Sequence, residues 1–122
     1  MDLENLLQEF RTIRGYIASS ILSKAGEEIA SDLVDTSIDA ALLSITYNDI
    51  FNMAHECVEK MGSGECTETN INTRDLLILM HCSGKATKVH FHLGCILAKD
   101  GNSVLAGMLL EKVMKKAAQH LG

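Results

Sequence analysis

The chain contains no proline and no tryptophan. Average usage would place roughly six prolines in this length, so stiff Pro-rich linkers and X-Pro turns are absent. Long apolar runs are missing too. No stretch approaches the roughly eighteen apolar residues that a membrane span requires, and the first helix-like segment carries Asp2, Glu4 and Glu9. A transmembrane span and a secretory signal are therefore not expected. The four cysteines, Cys57, Cys66, Cys82 and Cys95, form no C-x-x-C pair and sit within apolar runs. They read as reduced, mostly buried thiols of a cytoplasmic protein.

Excess positive charge is lacking as well. The net charge is −5, which argues against a nucleic-acid partner, because phosphate-backbone affinity comes largely from Lys and Arg. The charge is uneven. Residues 1–39 hold eight acids and three bases, and residues 40–84 hold six and two, whereas residues 85–122 hold two and six. The basic last third reads as a solvated helix face.

What remains is ordinary globular composition, 47 % hydrophobic and 22 % charged over 122 residues, enough for a single domain spanning 1–122. Leu3, Leu6, Leu7, Phe10 and Ile13 recur at helical spacing and predict a short amphipathic helix over 2–14, with Gly15 placed for a left-handed cap. YIASSILS (16–23) and EEIAS (27–31) read as a hairpin turning at Gly26. Thr36 and Asp39 match a capping box and open a long helix to about Met61, stopped by GSG at 62–64. One face of it runs through Leu43, Tyr47, Ile50, Ala54, Cys57 and Met61; a second apolar set, Leu42, Ile45 and Met53, asks for a partner helix. Three strands follow, at 65–72, 75–83 and 88–98. Asp100-Gly101-Asn102 then caps a last helix with Val104, Leu105, Met108, Leu109, Val113, Met114, Ala117 and Leu121 as its apolar face. The order α-β-β-α-β-β-β-α predicts an α+β sandwich.

The stretch MHCSGKATKVHFHLGC (80–95) raises the question of a metal. Alternation along a strand places His90 and His92 on one face, and Cys82 joins them in one hairpin register. In the other register His81 opposes His90. Cys95 faces away in both. Three ligands converge at most, one short of a closed tetrahedral zinc site, so no stoichiometric zinc is expected. Other chemistry is weaker. GSG lacks a phosphate-binding frame, Ser19 and Ser20 lack a nucleophile elbow, Glu27-Glu28 meets no second acid, and Arg74 sits in a turn. No catalytic residue and no cofactor is expected.

The hairpin IASSILSKAGEEIAS (17–31), the long helix, the strand pair and LGCILAKDGNSVLAGMLLE (93–111) together resemble the Roadblock family of dynein light chains, in its prokaryotic, MglB-like branch. The resemblance implies a five-stranded antiparallel sheet between the long helix on one face and the first and last helices on the other. It also implies a homodimer joined along the strand at 66–72, with the long helices packed together. Candidate dimer residues are then Cys66, Thr67, Glu68, Thr69, Asn70, Tyr47 and Ile50. The family implies a non-enzymatic regulator or scaffold of a small Ras-like GTPase, the alternative being a structural adaptor with no effect on nucleotide turnover. Candidate partner-binding residues on the long helix are Phe51 as an anchor, with Asn48, Asn52, His55, Glu56 and Glu59 around it.

Overall fold

Residues 16–23 and 91–98 are predominantly apolar, and strands of that kind belong at the centre of a sheet, covered on both faces. The computed structural model, which describes residues 2–84 and 88–121, places them side by side. The chain runs from α1 (Leu3–Leu7) through a 3-10 turn (Gln8–Thr12) into β1 (Tyr16–Ser23) and β2 (Glu28–Leu33). After α2 (Ala40–Met61) come β3 (Glu68–Asn72), β4 (Leu76–Cys82) and β5 (Phe91–Ala98), and α3 (Ser103–Leu121) closes the order. All pairings are antiparallel, in the order β2-β1-β5-β4-β3. This is the expected α+β architecture.

The two faces have separate cores. On one, Leu3, Leu6, Leu7 and Phe10 meet Ile21, Leu77, Leu79, Leu93 and Leu97 beneath Ala106, Leu110, Val113 and Ala117 of α3. On the other, Tyr47 and Phe51 of α2 cover Ile17, Ala18, Leu22, Ile78, Met80 and Ile96. Among the described residues no helix is long and apolar enough to cross a membrane.

Several local expectations shift. The first helix is α-helical for one turn only and then tightens, with Asp2 accepting from the Asn5 amide at 2.8 Å. The cap of α2 is Asp39, which accepts from the Leu42 amide at 3.0 Å, so Thr36 lies outside the helix. The buried row of α3 is Ala106, Leu110, Val113 and Ala117, while Val104 and Met108 are exposed. The expected apolar face was thus rotated towards the flank of the helix. Only Cys95 of the four cysteines is buried; Cys57 is exposed and the other two are half-buried.

Gly15 is required by space as well as by its φ of +85°. A Cβ there would stand 2.8 Å from Gly101 Cα, where the turn before β1 crosses the turn after β5. The Gly15 carbonyl accepts from the Ala98 amide at 2.8 Å and the Arg14 carbonyl from the Asn102 amide at 3.1 Å.

A polar network holds the edge of the sheet. Asp32 is buried on β2 and accepts from Arg11 Nε at 3.1 Å and Nη2 at 2.6 Å, and from the Tyr16 hydroxyl at 2.7 Å. Burial pushes the carboxyl up, but the donors from Arg11 and Tyr16 outweigh it and hold the group below its ordinary value. A carboxylate depressed in the folded state stabilises fully above its unfolded value, about pH 4, and that contribution fades as the pH falls through and below it. Asp32→Asn should therefore lower the melting temperature at pH 7. The gap from the wild-type protein should stay constant down to about pH 5 and narrow below about pH 4, as followed by circular dichroism.

Candidate functional site

α2 crosses the second face of the sheet on an inward line that includes Leu43, Tyr47, Asn48, Phe51 and His55. This line lies to one side of the apolar row read from the sequence: Ile50, Cys57 and Met61 are exposed. Two polar residues sit on it because each finds a partner beneath. Asn48 is fully buried; its Nδ2 donates to the Lys24 carbonyl at 3.2 Å and its Oδ1 lies 2.5 Å from His92 Nδ1. Since Nδ2 is committed to a carbonyl, Oδ1 is the acceptor and His92 carries its proton on Nδ1. His92 Nε2 is left with its lone pair, buried and without a hydrogen-bond partner among the described residues.

Around His92 the aromatic rings stack. Phe51 lies on it with centroids 4.6 Å apart at 9°, and His55 stacks on Phe51 at 5.0 Å. His90 meets His92 edge-on at 5.5 Å and His55 at 6.0 Å. The hairpin register pairs Cys82 with His92, a wider turn than either register read from the sequence. Its parity puts Cys82, His90 and His92 on the α2 face. Cys82 Sγ lies 2.9 Å from His90 Nε2 and accepts from the Gly84 amide at 3.3 Å. His81 points to the opposite face, 3.0 Å from Glu68.

The count of three converging ligands is therefore corrected. One donor atom from each of His55, Cys82, His90 and His92 lies within 4.8 Å of the others. The fourth comes from α2, a helix distant in sequence, and strand alternation alone carries no information about it. Burial holds His92 down at about 4, with His90 and His55 adding to the effect, and lowers His90 as well. Burial also pushes the Cys82 thiol up. Three imidazoles and a cysteine are a donor set suited to a transition metal and not to nucleophilic catalysis, which needs a depressed thiol.

Of the expected partner-binding residues, Asn48 and Phe51 are fully buried and take part in this packing. Phe51 cannot serve as an exposed anchor, because its ring is spent between two histidines. Asn52, His55, Glu56 and Glu59, with Lys24 and Ala25, line an open cleft of about 410 Å³. Of the expected dimer residues, Tyr47 is buried, its hydroxyl donating to the Thr69 carbonyl, whereas Ile50 is exposed and Cys66 half-buried.

By sequence, no family model and no curated protein matches the chain. In three dimensions the agreement is close. A Roadblock/LC7 domain from Streptomyces avermitilis superposes at a TM-score of 0.84 with 13 % identity, covering 99 % of this chain and 98 % of that one. MglB from Myxococcus xanthus gives 0.82 at 12 % identity, over 98 % and 94 %. The gliding protein MglB from Thermus thermophilus gives 0.81 at 10 %, over 96 % and 86 %. The chain has the Roadblock/LC7 fold, and identities this low leave its sites to be argued from its own residues.

Asn48 joins the β1–β2 turn, α2 and β5, and its loss leaves the buried His92 Nδ1 without its acceptor. Asn48→Ala should cost about 1–3 kcal/mol in urea denaturation, the range for leaving a buried polar group unpaired. Asn52→Ala, which removes an exposed 2.9 Å bond to the same Lys24 carbonyl, should cost well under half of that.

Proposed function

We propose that two copies of this Roadblock-fold chain form a two-fold platform that regulates or scaffolds a small Ras-like GTPase by binding, without chemistry of its own. The observation that carries the dimer is the outer side of α2. Leu42, Ile45, Ile50 and Met53 stand 42–68 % exposed on a helix that Tyr47 ties to β3, whose far edge is open. An apolar stripe and an unpaired strand edge are both liabilities in a monomer, and one two-fold axis covers both.

The ladder says which backbone groups are available. The Thr67 carbonyl accepts from the Cys82 amide and the Thr73 amide donates to the Leu76 carbonyl. Antiparallel alternation then turns Thr67, Thr69 and Ile71 towards β4, and Glu68, Asn70 and Asn72 outwards. A proline at Thr67 or Thr69 would damage the sheet itself; Asn70 is the position that tests the edge.

The partner class comes from the resemblance of the sequence to a family whose prokaryotic members regulate Ras-like GTPases. The cleft lined by Asn52, Glu56 and Glu59 supports docking on α2, with its acids at the rim. Such a platform acts by favouring one nucleotide-dependent conformation of the GTPase.

Sedimentation at micromolar concentration should give twice the chain mass. Met53→Asp and Asn70→Pro should each weaken association at least about tenfold. Ser31→Pro, whose amide faces away from β1 at the other edge by the same alternation, should not. A wild-type chain that remains monomeric at about 100 μM, well above the affinity of a specific interface, overturns the dimer.

For the partner, the double variant Glu56→Lys/Glu59→Lys should stay dimeric and lose at least about tenfold in GTPase affinity. Unchanged affinity would move docking off this cleft. Binding that leaves nucleotide turnover unaltered would select the adaptor over the regulator.

A further inference from the structure

From the convergence of His55, Cys82, His90 and His92 we infer a structural zinc site that clamps α2 onto the turn end of the β4–β5 hairpin. Zn²⁺ binds imidazole nitrogen at about 2.0–2.1 Å and thiolate sulfur at about 2.3 Å, which sets tetrahedral donors roughly 3.3–3.8 Å apart. The four donor atoms already lie within 4.8 Å of one another, so a contraction of roughly 1 Å closes the tetrahedron. Two residues come from β5 and its approach, one from β4 and one from α2. The ion would crosslink elements that otherwise meet through ring stacking.

Two further observations point the same way. His92 is fully buried, and its Nδ1 donates to Asn48 Oδ1, which leaves Nε2 as a buried lone pair with no hydrogen-bond partner among the described residues. That is the arrangement of a ligating histidine: the second nitrogen is held by a neighbour that fixes tautomer and ring orientation. Asn48 is itself fixed by the Lys24 carbonyl at 3.2 Å, so the support extends one layer further. There is also a path from solvent. A cleft of about 80 Å³ opens between Lys24, His55, Glu59, Glu65 and His90, and its two carboxylates favour an approaching cation over the single ammonium.

The chemistry balances simply. The Cys82 S–H bond breaks, its proton leaves to solvent, and the sulfur lone pair forms the Zn–S bond. The three imidazoles each donate a lone pair without losing a proton. One proton is released per ion, and the site carries a net charge of +1. Four protein ligands leave no open coordination position, which marks a structural ion and not a hydrolytic one. A nitrogen-rich set with one thiolate suits Zn²⁺ over harder cations such as Mg²⁺ and Ca²⁺. This inference stands apart from the dimer and from the GTPase, since all four ligands belong to one chain.

The test uses the full-length, untagged protein purified without chelator. Elemental analysis should find about one zinc per chain. Replacement by Co²⁺ should give the intense visible bands of a tetrahedral site with a near-ultraviolet thiolate-to-cobalt transition. Cys82→Ser should abolish that transition, and His55→Gln should weaken zinc at least about tenfold, as should Asn48→Ala through its hold on His92. Chelation should lower the melting temperature of the wild-type protein and leave that of Cys82→Ser unmoved. His81→Ala on the opposite face and Cys57→Ser on the outer side of α2 should retain the metal.

A folded wild-type chain that takes up neither Zn²⁺ nor Co²⁺ at micromolar concentration overturns the site. So does metal lost in His81→Ala or Cys57→Ser but kept in Cys82→Ser and His55→Gln. Should one of the ligand variants fail to fold, the cobalt spectrum of the wild-type protein still decides, because a site without a thiolate would lack the near-ultraviolet band. Uptake of Cu⁺ with exclusion of Zn²⁺ would overturn the identity of the ion.

Discussion

β1 and β5 offer neither face to water, and much of the fold is arranged to cover them. Their residues are buried from Tyr16 to Leu22 and from Phe91 to Leu97, so an element must lie on each side. The first segment and α3 cover one side together, and α2 is left to cover the other by itself. At one end of this antiparallel pair the turn before β1 and the turn after β5 are forced close, which is why Gly15 and Gly101 cross with no room for a Cβ. The remaining features follow from how a single long helix manages its side of the sheet.

Covering a sheet also traps polar groups, and a trapped polar group must find a partner. Asp32 finds Arg11 and Tyr16, and its hydrogen bonds are complete on both carboxylate oxygens. Asn48 likewise has both ends occupied, by the Lys24 carbonyl and by His92. His92 differs, because one nitrogen is satisfied and the other keeps a buried lone pair. The cluster with His55, Cys82 and His90 is thus an imbalance that a cation would resolve.

α2 presents two sides of different character. Its inner line builds the cluster and the second core, and its outer line leaves Leu42, Ile45, Ile50 and Met53 exposed. Between them run Asn52, Glu56 and Glu59, neither buried in the core nor part of the apolar stripe. A helix apolar over so wide an arc is unusual for one lying on a sheet alone, and the proposed second copy would account for it. Binding surfaces and buried packing are here separated by less than one helical turn.

Much of this was legible in the sequence, and the reasons differ by element. β1 occupies the expected residues, and α2 ends at Met61 with Gly62 at a φ of +69°, because strand and helix periods and glycine stops are local properties. β5 begins at Phe91 instead of 88, since residues 88–90 belong to a turn whose width no local rule specifies. The sheet, with helices on both faces, follows from predominantly apolar strands that must be covered on both sides. The inward side of α2 did not follow. Leu43, Tyr47, Ile50 and Met61 make as good a stripe in one dimension as Leu43, Tyr47 and Phe51, and a helix with two apolar sides is degenerate until something lies beneath it. The sheet breaks the tie by offering partners to Asn48 and His55, which hydrophobicity alone would have turned outwards. For the same reason the sequence by itself determined the element order, the fold class and the shared face of His90 and His92, all set by short-range spacing, while the choice between Cys82 and His81 waited on the hairpin register. Only the tertiary structure decided that His55 joins them, because the rotation of α2 over β4 and β5 depends on contacts between residues far apart in the chain.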